Sequence, residues 1–180
     1  MRLFTPPLTP LLLALMAYKG LYRDDVTALR WIRDQQSNRF GCDGSDTTLL
    51  ELGGLPAADR GHWPYGVFGD ASLASRKIYV STYFPARVER IADEARDREP
   101  HFVWMYGSRR DYMTYWKQIA GGRFEIDPDL HYDYRIQNGT LFVVTDHTTH
   151  HRKNTYWVAL GKSLNGRVHG LGRNADRVGE

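Results

Sequence analysis

The chain has 180 residues, of which 42% are hydrophobic and 13% aromatic, enough apolar surface to bury a core and too much for a disordered chain. A net charge of +3 and a pI of about 9.0 permit contact with a polyanion without requiring it. The single Cys42 excludes an internal disulfide framework and a cysteine zinc site, so a reducing, cytoplasmic compartment is expected.

The first apolar stretch, Leu8–Tyr18, follows Arg2 as a short signal peptide would, but it is too short to cross a bilayer. Thr9 and Pro10 suit an N-cap and first turn, so a buried helix over Pro10–Tyr22, weakening at Gly20, is expected, with no membrane contact. Asp24 or Asp25 can cap a second helix in which Val26, Leu29 and Ile32 share one face. After the turn cluster Asn38–Gly44, Thr47–Leu52 reads as a short apolar strand stopped by Gly53 and Gly54. Residues 53–82 are irregular and carry Trp63, Tyr65 and Phe68; loops of this length are often functional.

Arg87–Arg98 has the pattern of a charged amphipathic helix, with Val88, Ile91 and Ala92 inward. His101–Tyr106 is an apolar strand expected to be central, followed by Ser108 as the cap of a helix over Arg109–Ala120 that Gly121 and Gly122 stop. His131–Ile136 and Thr140–Thr145 flank Gln137-Asn138-Gly139, a strong hairpin signal. Asn154 is the expected cap of the last helix, which places Trp157, Leu160 and Leu164 inward. Helices alternating with short apolar strands point to the α/β class: a three-layer α/β/α arrangement with a short, mostly parallel central sheet. One domain over residues 1–164 and a flexible, Gly- and Arg-rich basic tail over 165–180 are expected.

Three constellations carry potential chemistry. Asp146, His147, His150 and His151 suit a metal by residue type, yet they lie in a turn and not on one helix face with a Glu between, so no metal site is expected. His147, directly after the strand, is the site candidate; His150 and His151 read as solvated turn residues. Asp127, Asp129 and Asp133 are spaced like part of a calcium loop but lack its glycine and terminal Glu, and read as a loop entering a strand. Glu51 ends an apolar strand, where a carboxylate is costly unless paired or used. There is no phosphate loop, dinucleotide fingerprint or nucleophile elbow, and no cofactor is expected.

Three segments in this order, DTTLLELGGLP (46–56), HFVWMYGSRRDYMTYWKQIAG (101–121) and VVTDHTTHHRKNTYWVALGKSL (143–164), resemble the uracil-DNA glycosylase superfamily. The resemblance implies a DNA partner, single- or double-stranded, and a pocket that takes a nucleotide out of the stack. It implies that Trp63 and Tyr65 hold the face of the flipped base. His147 would donate a hydrogen bond to the base oxygen as the departing base becomes an anion, and Arg152 and Lys153 would face phosphates. The sequence departs from the family pattern in three ways. Thr148 and Thr149 follow the histidine where the family has Pro and Ser. Glu51 stands where the family presents an amide to the base. Only Met1–Leu8 precede the first helix, where the family carries its water-activating residue, so either that motif is missing, with Asp43, Asp46 or Glu51 as substitutes, or the start of the chain has been lost. The expected function is a DNA glycosylase-like protein that flips or excises a modified base. The alternative is a catalytically impaired nucleic-acid- or protein-binding module of the same fold, followed by a metal-dependent hydrolase using Asp146 and the histidines.

Overall fold

A computed structural model describes residues 8–35, 50, 52, 55 and 62–171. Asp46, Glu51 and most of the expected Thr47–Leu52 strand lie outside them. The chain groups into two compact units, residues 1–49 with 99–180, and residues 50–98, where the sequence suggested one domain over 1–164. No helix among the described residues is long and apolar enough to cross a membrane.

In the first unit, α1 (Leu8–Tyr18) is apolar on all sides, and such a helix must be buried. Leu12, Leu13, Ala14, Leu15, Met16 and Ala17 are indeed buried. α2 (Asp25–Asp34) starts at Asp24, whose carboxylate accepts the Thr27 N–H at 2.7 Å. Its inward row is Ala28 and Ile32, while Val26 and Leu29 are exposed. The face is therefore rotated from the one expected, because the i, i+4 pair containing the small Ala28 turns inward.

The sheet contains β1 (Phe102–Gly107), β2 (Glu125–Ile126), β3 (Asp133–Gln137) and β4 (Thr140–Asp146) in the order β1-β4-β3-β2. β1 and β4 are parallel, whereas β3 is antiparallel to both β4 and β2. The fold is thus α/β with a mixed sheet, and among the described strands "mostly parallel" does not hold. Local turns decide this: Asn138 (φ 49°) and Gly139 (φ 73°) fold β3 straight back onto β4. β4, buried from Thr140 to Thr145, takes the central position expected for β1, which ends the described sheet.

Strand parity places the helices. Leu141 and Val143 share one face, where they join α1, α2 and α5 (Asn154–Gly170) in a single core cluster. Trp157, Leu160 and Leu164 are buried there, as expected from their spacing. Phe142 and Val144 face the other way. Their β3 partners, Arg135 and Asp133, share that face and hold both ends of α4 (Arg109–Ile119). Arg135 donates to the Ala120 and Gly121 carbonyls at 2.9 and 3.1 Å, and Asp133 ion-pairs with Arg109. Helices consequently cover both faces. α5 runs through Gly170, beyond Asn165 where the sequence placed the start of the tail, because Val168 continues its apolar row into the core.

A second network fastens α5 to the sheet. Arg167 donates to Asp127 at 2.6 Å and to the Tyr132 hydroxyl at 2.8 Å, and its guanidinium lies 3.8 Å from the Tyr134 ring centre. Asp127 also accepts the Leu130 and Asp129 N–H groups at 2.8 and 3.1 Å. It anchors the turn that leads into β3.

The second unit contains short 3-10 turns at Pro64–Phe68 and Ala71–Leu73 and the helix α3 (Arg76–Arg98). α3 starts well before the expected Arg87 and carries Pro85 in its interior, where proline removes one backbone donor. Its buried residues are Tyr79, Phe84 and Val88.

Candidate functional site

The carboxyl ends of β1 and β4 lie side by side, with Gly107 opposite Asp146. β1 passes through Ser108 into α4, and β4 passes through a 3-10 turn, His147–His151, into α5. Two strand ends and two helix starts therefore meet at one edge, the usual position of ligand sites in open α/β sheets.

Ser108 occupies the N-cap position of α4, yet its side chain caps nothing. The cap comes from the neighbouring strand: Asp146 Oδ2 accepts the Arg109 N–H at 2.8 Å. Asp146 Oδ1 accepts the Thr148 N–H at 2.8 Å and its hydroxyl at 2.7 Å, and the Asp146 carbonyl accepts the Thr149 hydroxyl at 2.6 Å. One residue thus shapes the histidine turn and ties it to α4. Burial alone would raise the Asp146 carboxyl. The hydrogen bonds from Thr148 and Arg109, with His147 beside it, outweigh burial and hold it below the usual carboxylate range.

His147 follows directly. Its side chain is 51% exposed, open to a ligand, and its Nδ1 lies 3.3 Å from Asp146 Oδ1. Its carbonyl accepts the Tyr106 hydroxyl at 3.3 Å and is also contacted by His150 Nδ1. Burial, with the Asp146 carboxylate nearby, pushes the Tyr106 hydroxyl up. The rings of His150 and His151 lie with centres 3.6 Å apart, tilted by 43° to one another. Among the described residues, no three His, Cys, Asp or Glu side chains gather as a metal ligand set.

Arg152 and Lys153 are exposed at the start of α5, Lys153 at its N-cap position and the Arg152 guanidinium 5.4 Å from the Tyr156 ring centre. They stand at the same strand edge as His147. Behind the edge, Arg109 pairs with the buried Asp133, whose carboxyl burial pushes up against the pull of Arg109 and Lys117.

Trp63 and Tyr65 belong to the 50–98 unit. Their rings meet edge-on at 5.0 Å, Trp63 Nε1 donates to the Leu73 carbonyl at 2.7 Å, and Trp63 also packs on Tyr79 at 5.2 Å. Asp46 and Glu51 are outside the described residues. Residues that sequence reasoning passed over are Arg109, Tyr106 and, in its capping role, Asp146. The Asp146 role had a signal, an Asp at a strand end with Thr two residues on, which favours a side-chain turn. The pairing to Arg109 had none, because it crosses between strands far apart in sequence. No family model matches the chain, and neither a curated protein nor a solved structure matches it.

Proposed function

We propose that the protein is a DNA glycosylase-like enzyme built on the three-layer α/β/α architecture of the uracil-DNA glycosylase superfamily, excising an altered base by hydrolysis of its N-glycosidic bond. The observation that carries this reading is His147: a half-exposed imidazole at the carboxyl end of a parallel strand pair, its carbonyl accepting from Tyr106 and its Nδ1 3.3 Å from the Asp146 carboxylate. Helices on both faces of the sheet fit the same architecture.

In this reading the flipped base sits against His147, which donates a hydrogen bond to the base oxygen as negative charge gathers there. A fixed donor at such a position is worth about 10²–10³ in rate. Arg152 and Lys153, exposed at the same edge, meet the phosphates on either side and set register without reading sequence. The chain's net charge of +3 favours the encounter.

The test is incubation of the full chain with single- and double-stranded oligonucleotides carrying uracil or other altered bases, followed by alkaline cleavage at abasic sites. Excision is expected, and His147→Ala should lower it by about 10²–10³-fold with little change in DNA affinity. Unchanged excision in that variant would remove His147 from the mechanism. Salt-sensitive binding with no excision on any substrate would identify a binding module of the same fold.

A further inference from the structure

Ala28 and Ile32 of α2 turn into the core, which leaves Val26 71% and Leu29 52% exposed. With Arg30 and Arg33 these two line a shallow cleft along the outer side of the helix. Spacings of three, four and seven residues from Val26 put all four side chains on one stripe. Single exposed aliphatic groups are ordinary, but two side by side in a cleft form an apolar patch. The charges on this face are ordered along the helix. Asp25 lies in the first turn and Arg33 in the last, with Leu29 midway, so the three make one ridge at four-residue spacing. At 1.5 Å per residue Asp25 and Arg33 stand about 12 Å apart along the axis, too far to pair within the helix. Among the described residues Arg30 and Arg33 form no ion pair. One Asp25 oxygen accepts the Tyr22 hydroxyl at 3.0 Å, and the residue is otherwise exposed. Asp34, which contacts Gln35, lies about 140° around the helix from Leu29 and off the stripe.

We propose that this face is an interface between two copies of the chain, their α2 helices antiparallel across a two-fold axis at Leu29. Such an interface is isologous, so each contact off the axis is made twice. Leu29 packs on its own copy, and Val26 enters the other copy's cleft beside the stems of Arg30 and Arg33. Asp25 of each copy meets Arg33 of the other, which supplies the partner that neither finds within its own helix. The acid-first, base-last order is its own complement only in this orientation, and antiparallel packing also sets each helix N-terminus against a C-terminus. A parallel pair would set Asp25 on Asp25 and Arg33 on Arg33. A polyanion would meet Asp25 and leave Val26 and Leu29 uncovered. One ten-residue helix offers well under the roughly 800 Å² per partner of a stable interface, so the dimer is weak and forms at high protein concentration.

The experiment is sedimentation velocity of the full chain over a concentration series, with circular dichroism to establish that each variant is folded. The wild-type sedimentation coefficient should climb with concentration and fit a monomer–dimer equilibrium. Leu29→Glu sets two carboxylates on the axis at a position already exposed to water, and should raise the dimer Kd by on the order of tenfold or more. Asp25→Arg alone sets Arg against Arg at both ends of the contact, and Arg33→Asp alone sets Asp against Asp, so neither should self-associate. Mixed one to one they should form a heterodimer, because every facing pair is then opposite in charge. A wild-type chain that stays monomeric at every concentration would overturn the proposal. A dimer unaffected by Leu29→Glu would lie on another surface and overturn it equally. Folded charge variants that do not associate on mixing would overturn the antiparallel register; should either fail to fold, Leu29→Glu still decides whether α2 is the contact.

Discussion

Replacement of Gly161 by Ala tests the α1–α5 interface on which the core cluster is built. A Cβ at this position would lie 2.1 Å from the Ala14 carbonyl oxygen, 2.8 Å from Ala17 Cβ and 2.9 Å from the Tyr18 N. Two of these three atoms are backbone, so no side-chain rotation relieves the clash. To reach 3.4 Å, where ordinary contact begins, the helices must part by about 1.3 Å. Such a gap forfeits a quarter to a half or more of the dispersion energy along the seam, where Leu12, Met16, Leu160 and Leu164 are at most 1% exposed. Overpacking typically costs about 1–3 kcal/mol, and the higher helix propensity of Ala returns roughly 1 kcal/mol. A backbone clash belongs at the upper end of that range, so Gly161→Ala should destabilise by about 2 kcal/mol and lower the Tm by roughly 4–8 °C. Gly166→Ala in the same helix is the control, because a Cβ there meets nothing within 4 Å. It should raise stability by up to about 1 kcal/mol through propensity alone. Thermal unfolding followed by circular dichroism reads both variants, and a Gly161→Ala protein as stable as Gly166→Ala would refute the close approach of α1 to α5.

The remaining predictions address the polar network and the hairpin. Arg167→Leu strands the buried Asp127 carboxylate and should cost about 3 kcal/mol in urea denaturation; a loss under about 0.5 kcal/mol would show the network to be unimportant. Burial would raise the Asp127 carboxyl, but hydrogen bonds from Leu130 and Arg167 hold it below its usual value of 3.8. Its folded pKa is therefore depressed, so its stabilisation is present above 3.8 and is lost as pH falls through the folded value. Asp127→Asn should flatten the dependence of Tm on pH below 3.8, and an unchanged acid limb would contradict this. Gly139→Val forces a β-branched residue to a φ of 73° and should cost about 1–2 kcal/mol, read from the denaturation midpoint. An unchanged midpoint would exclude a left-handed turn at that position.

What the chain determined by itself was local. The positions of α1, α2, α4 and α5, the apolar runs of β1 and β4, the glycine stop after α4 and the Asn138-Gly139 turn were legible because each depends on residues within a few positions of one another. The place of His147, as the first residue past β4, was legible for the same reason. Tertiary structure decided the rest. β4 became the central strand because it pairs with β1 on one side and β3 on the other, and no local pattern states which strands meet. The length of α3 was hidden by Pro85, which reads as a boundary although the helix runs through it. The cap of α4 passed from Ser108 to Asp146 once the parallel register set Gly107 beside Asp146. That contact joins residues 37 apart in the chain, and the same carboxylate lies 3.3 Å from His147 Nδ1. The place of the histidine turn could be read from its own neighbourhood; the tie between that turn and α4 could be found only after folding had brought two strand ends together.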